Sequence, residues 1–172
     1  MPRKRRASAP GPAVRAILRL IDEGYDRRAW HGPNLRGALR GLTVEEASRR
    51  PAPGRHNIWE IAVHAAYWKY AVRRRLLGEK RGSFPLKGSN WFRRPARGAD
   101  WKADLRLLED VHRSMRRAVA SLGDQDLRRK SRGSSQLNGH IIVGIGAHDV
   151  YHAGQIQLIK RLIKKSRKTK GR

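Results

Sequence analysis

Apolar residues recur every third or fourth position in four separate stretches of this 172-residue chain, and nowhere do they alternate. That spacing puts an apolar stripe on each of several helices and leaves no half-buried strand from which to build a sheet. Val14, Ile17, Leu18 and Ile21 mark the first stretch, and Gly24 is expected to stop or kink it. Pro33 fits the first turn of a second, shorter piece through Leu35, Ala38, Leu39 and Leu42. Thr43 with Glu46 is a capping-box pattern for another short helix ahead of the Pro51–Gly54 loop, and Asn57 with Glu60 repeats it. From Asn57, the stripe Ile58, Ile61, Ala65, Trp68, Val72 and Leu76 runs to Gly78. A helix from about Asp100 to Leu122 turns Leu105, Leu108, Val111, Met115, Ala118 and Val119 inward. A last helix, from about Gly139 to Ile163, aligns Ile141, Ile145, Ile156, Ile159 and Ile163. Residues 79–99 and 123–138 are irregular polar connections, the first long enough to expect a function of it. The pattern predicts an all-α fold, a four-helix bundle with short extra helices.

Charge bounds the partners. Lys and Arg number 40 against 14 Asp and Glu, a formal charge of +26. Basic residues fill positions 3–6 and recur from Lys160 to Arg172 with no acid among them, and a basic excess persists between the two ends. The expected organisation is a disordered basic arm at 1–11, the bundle at 12–163 and a disordered basic tail at 164–172. Such a chain binds polyanions at low salt by counterion release, so non-specific nucleic-acid contact through the ends is one expectation. The ends lack the interleaved aromatics of a single-strand stacking platform, and no zinc-finger, RNA-recognition or helix-turn-helix pattern is present. Cysteine is absent, which excludes disulfides, a thiol nucleophile and Cys-ligated metal sites. No apolar run approaches the length of a membrane span, and no apolar signal core follows the basic start. The expectation is a cytoplasmic protein without membrane insertion.

Three of the seven histidines stand apart from the rest because of where helical geometry places them. His148 and His152 are four apart and so share one helix face, the one carrying Ile141, Ile145, Ile156 and Ile159. His64 lies between Ile61 and Trp68 on the stripe of its own helix. Burying unpaired imidazoles is costly. A divalent metal resolves that cost, because neutral imidazole ligates zinc, nickel or iron well, and three ligands leave positions open for water or substrate. The alternative is that each ring hydrogen-bonds to a buried polar group or sits at a wetter end of the bundle.

The segment His148-Asp-Val-Tyr-His152 has the spacing of the zinc-peptidase motif H-E-x-x-H, but Asp149 replaces the catalytic Glu and is shorter by one methylene. Asp149 therefore reads as a group behind the ligands or at the surface, and as a weak catalytic candidate. His112 falls on an inward stripe and is a further weak candidate, as a fourth ligand or a pocket acid/base. Gln155, three residues after His152, is placed to orient a ligand or substrate. His31 lines a pocket mouth or simply precedes a helix, His56 and His140 read as structural or exposed, and Tyr67 and Trp68 read as core.

The stretches His56-Asn-Ile-Trp-Glu-Ile-Ala-Val-His64-Ala-Ala-Tyr-Trp and His148-Asp-Val-Tyr-His152-Ala-Gly-Gln-Ile-Gln-Leu resemble the DinB/YfiT-like superfamily, the damage-inducible DinB group and not the polymerase that shares its name. The resemblance spans about residues 12–163. It implies a four-helix bundle with a metal held by one histidine of the second long helix and two of the last, here His64, His148 and His152. Some relatives are thiol S-transferases, some thiol-dependent isomerases, and many are described only as metal-dependent hydrolases. The fold does not choose among these activities.

Two functions follow as expectations. The first is a metalloenzyme, a thiol S-transferase or hydrolase acting on small molecules. Its divalent ion is zinc by base rate, with nickel, iron and manganese also suited. The thiol, if one is used, must be an external low-molecular-weight thiol. The second is a stress-associated nucleic-acid-binding protein that acts through its basic surface and keeps the metal for structure. An inactive bundle that retains the histidines is the plain third. A homodimer through an exposed helix face is compatible with all three.

Overall fold

The computed structural model describes residues 9–170, with side chains through Lys164. Six α-helices and one 3-10 turn form in order: α1 (Pro12–Tyr25), α2 (Leu35–Leu39), α3 (Val44–Ser48), α4 (Ile58–Leu77), α5 (Trp101–Ala120), the turn Asp124–Arg128, and α6 (Asn138–Lys170). Among the described residues there is no strand, only an isolated bridge between Lys130 and Leu137. The long helices close a four-cornered ring, in which α4 packs on α5 and α6, and α1 packs on the same two. No described helix is long and apolar enough to cross a membrane.

Local chemistry sets most of the helix starts. Both capping boxes form as the sequence predicts, with Thr43 and Glu46 opening α3 and Asn57 and Glu60 opening α4. At α2 it is Asn34, not Pro33, that makes the start, its side chain accepting from the Gly37 amide. The α1 N-terminus is capped from a distance, because the Ala13 and Val14 amides donate to the Asp124 carboxylate at 3.2 and 3.0 Å. Gly24 marks the end of α1 to within one residue, since the helix stops at Tyr25. It lies within the helix where α1 crosses α6, and a Cβ there would sit 2.9 Å from the Gly146 carbonyl oxygen. At the other end α6 continues to Lys170, past the expected stop at Ile163, so much of the expected tail extends the helix. The arm expected at 1–11 lies outside the described residues except for positions 9–11.

The apolar core has two parts. One gathers Val14, Leu18, Ile21, Val72, Met115, Val119, Ile141, Ile142 and Ile145. The other gathers Trp59, Ile61, Ala65, Leu108, Ile156 and Ile159 with the short helices. Between these levels each long helix contributes a polar side chain or a tyrosine: Tyr25, Lys69, His112 and Asp149. Lys69 of α4 and Asp149 of α6 are fully buried and form an ion pair, with the Lys69 ammonium also over the Tyr25 ring. Burial drives Lys69 down and Asp149 up to about 6, and each partner's charge opposes the other's shift.

The 79–99 connection folds back onto the start of α4. The Asn57 amide donates to the carbonyls of Ser48 and Arg94, and the Arg94 backbone amide donates to the buried Glu60 carboxylate. The Arg94 guanidinium and the Trp59 indole both donate to Asp104 of α5. Phe92 is buried behind these contacts.

Removing one partner of a buried ion pair leaves the other charge uncompensated, at a cost of roughly 3–5 kcal/mol, whereas apolar replacement of both is near neutral. Lys69→Met and Asp149→Leu should each lower the urea midpoint strongly, and the double variant should recover most of the loss. Additive losses in the double variant would show that the pair is not the coupled unit described.

Candidate metal centre

The three inward histidines converge. His64 Nε2 lies 3.1 Å from His148 Nε2, and His152 Nε2 lies 3.0 Å from the same atom. Their ligand atoms all fall within 4.8 Å of one another, so this group can hold a metal ion. His64 reaches the centre from the middle of α4, and the other two from successive turns of α6. Regular tetrahedral Zn–N bonds of about 2.0–2.1 Å separate ligand nitrogens by about 3.3 Å, close to the two separations from His148 Nε2.

Hydrogen bonds behind the rings fix their tautomers. His64 Nδ1 lies 2.8 Å from the Asn90 carbonyl oxygen, an acceptor, so the proton is on Nδ1 and the lone pair on Nε2. His152 Nδ1 lies 2.7 Å from Gln155 Oε1, with the same consequence. Both Nε2 lone pairs therefore face His148 Nε2, which carries at most one proton and can satisfy only one of them. Among the described residues His148 Nδ1 has no hydrogen-bond partner. A cation at the centre accepts all three lone pairs, so the residues present fit a divalent metal.

Burial also favours the ligand form of each ring. It lowers His64, takes His148 down to about 3 and His152 to about 4, with neighbouring imidazoles adding to the shift in each of the last two. All three are neutral at ordinary pH, as metal binding requires.

The loop closes one side of the centre. Trp91 stacks on His64, with ring centroids 3.8 Å apart, and His56 stacks on Trp91 in turn. Asn90, at φ 64°, uses its carbonyl for His64 and its side-chain oxygen for the Trp68 indole N–H. On the other side a cavity of 240 Å³ reaches His148, walled by Trp68, Arg75, Gln136 and His140. A larger cavity of 540 Å³, beside Tyr25, Arg36 and Glu109, touches none of the three histidines.

Of the weaker candidates, Gln155 stands directly behind His152, and its amide also donates to the Tyr151 hydroxyl. Asp149 is not at the surface: its carboxylate is fully buried on Lys69. His112 does not join the cluster. Its ring stacks on Tyr25 at 3.6 Å, and its Nδ1 is buried with no hydrogen-bond partner among the described residues. His31 is exposed before α2. Trp68 and His140 line the cavity at His148, a role the sequence reading did not assign to them. Asn90 and Trp91 were missed altogether, and the only local signal was an Asn in a Gly/Ser segment, the residue type that best tolerates positive φ after Gly.

His112 gives a pH dependence with a definite sign. Burial first, then the charge of Lys69 and nearby arginines, holds it at about 2, against 6.5 for the unperturbed ring. The unfolded chain therefore binds the proton first, and stability present above pH 6.5 is lost as pH falls toward about 2. Between pH 7 and pH 5 the wild type should lose about 2 kcal/mol more than His112→Phe in chemical denaturation. Parallel stability profiles for the two proteins would contradict a neutral buried His112.

Neither a curated protein nor a solved structure matches the chain. A family model does, that of the DinB superfamily, over residues 26–156. The match takes in α2 through most of α6 and all three converging histidines, and it agrees with the helical bundle found. The chain belongs to the DinB superfamily.

Proposed function

We propose that this protein is a metal-dependent enzyme acting on small molecules, with His64, His148 and His152 as the ligands of one divalent ion. The observation that carries the reading is the tautomer argument: two Nε2 lone pairs are fixed toward a third imidazole that cannot satisfy both. Zinc is the base-rate occupant, and nickel, iron and manganese suit the same donors. When bound, such an ion lowers the pKa of a water or thiol and polarises an electrophile.

The chain's own residues do the rest. Asn90 and Gln155 hold His64 and His152 in their ligating tautomers. Trp91 covers His64, so approach is from the cavity at His148. No carboxylate lines that cavity, and Asp149 is engaged by Lys69, so neither supplies a base beside the reacting group. With water as nucleophile, an O–C bond forms, the ester or amide bond breaks and the leaving group takes the proton. With an external thiol, an S–C bond forms, a halide or similar group departs and the thiol proton goes to solvent. The chain has no cysteine, so the sulfur is never its own.

Zinc-loaded protein should raise the rate of 4-nitrophenyl acetate hydrolysis, or of conjugation of a low-molecular-weight thiol to monochlorobimane. His64→Ala and His148→Ala should abolish that gain. Gln155→Ala removes a group behind a ligand and should weaken zinc affinity about 10–100-fold, read by competition with a chromophoric chelator. Activity that survives both histidine substitutions, or unchanged affinity in Gln155→Ala, would contradict the reading.

A further inference from the structure

A second cleft, of 460 Å³, lies between the far half of α4 and the 79–99 loop. It shares two lining residues, Trp68 and Arg75, with the cavity that reaches His148, so the two cavities adjoin across those side chains. Its size is that of a small-molecule site rather than of an extended polymer track.

The lining has two chemistries. Arg75, Arg81 and Lys87 point positive charge at the cleft, and neither it nor the adjoining cavity is lined by Asp or Glu. The carboxylate closest in sequence, Glu79, is taken by Arg73. Among the described residues, the side chains of Arg75, Arg81 and Lys87 make no hydrogen bond or ion pair. Tyr67, Trp68 and Phe84 supply the apolar wall, with Tyr67 and Phe84 edge to face at 5.4 Å. Uncompensated cations beside an aromatic wall recognise an anion joined to a flat apolar body, through charge-assisted hydrogen bonds and ring contact.

We propose that the 460 Å³ cleft binds the anionic end of the substrate, a small molecule bearing a phosphate or carboxylate on an aromatic or apolar body, and presents its other end to the three-histidine centre. This rests on the metal-enzyme reading for the reacting end but not for the cleft itself. Arg75 and Trp68 stand where the two ends meet. Arg81 and Lys87 are exposed, so they serve binding without supporting the fold.

The test is isothermal titration of the full chain, zinc-loaded and chelator-stripped, with metal content measured by elemental mass spectrometry in each sample. The probes are 1-naphthyl phosphate, 1-naphthoate, 1-naphthol and inorganic phosphate. One or both of the naphthyl anions should bind once per chain, about tenfold or more tighter than naphthol and than inorganic phosphate. Which anion binds tighter distinguishes a phosphate from a carboxylate substrate. Arg81→Glu with Lys87→Glu should abolish the preference, and Arg81→Gln with Lys87→Gln should reduce it. The exposed control pair Arg19→Glu with Lys102→Glu should keep it, at equal net charge.

Equal affinity for naphthol and both anions, or equal loss in the control pair, would overturn the proposal. So would a short DNA duplex losing affinity in Arg81→Glu/Lys87→Glu while naphthyl phosphate does not. A protein that takes up no zinc yet shows the preference supports the cleft and contradicts only the metal reading. One that takes up zinc and shows no preference does the reverse.

Discussion

A buried carboxylate, that of Glu60, holds together the parts that make the site. It accepts from Nη1 and Nη2 of the Arg50 guanidinium, from His56, and from the backbone amides of Asn57 and Arg94. Burial alone would raise its pKa, and those hydrogen bonds outweigh burial and lower it. One turn above, His64 projects from the same helix. The amide of Arg94 brings the end of the long loop onto Glu60, and the loop residues just before it, Asn90 and Trp91, thereby meet His64. A helix-capping residue thus also sets the surroundings of a prospective metal ligand.

The two faces of α6 divide the chemistry. His148 and His152 look toward the site, and Asp149 between them looks into the bundle, where it neutralises Lys69. The spacing shared with zinc peptidases therefore carries a different arrangement here, with the acid spent on the polar layer that separates the two halves of the core. Three cations without acid partners, Arg75, Arg81 and Lys87, line the cleft on the other side of Trp68, along the loop. The basic excess of the chain is in this way partly local, and its local part borders the cavity that reaches His148.

Much of this was legible in the sequence, because helical periodicity reports which face is buried. The stripes through Ile61 and Ile145 located α4 and α6 and put His64, His148 and His152 inward, where the structure has them together. Capping boxes at Thr43 and Asn57 marked two helix starts correctly. What periodicity does not report is which inward residues meet. His112 lies on an inward stripe as the histidines of the cluster do, yet it stacks on Tyr25 in the polar layer. Lys69 gave no sign that it would be fully buried, since its partner is 80 positions away. Gly24 marked the end of α1 to within one residue, but nothing local showed that it also lets α1 cross α6 closely. Asn90 and Trp91 lie in a segment without periodicity, where contacts come from tertiary folding alone.

The central claim is that the convergence of three neutral imidazoles is a metal site, and metal stoichiometry tests it most directly. Elemental mass spectrometry on untagged protein reconstituted with zinc, nickel or manganese should find about one equivalent of metal per chain, lost in His148→Ala. No bound metal in the wild type under any of these conditions, or an equal amount in His148→Ala, would contradict it.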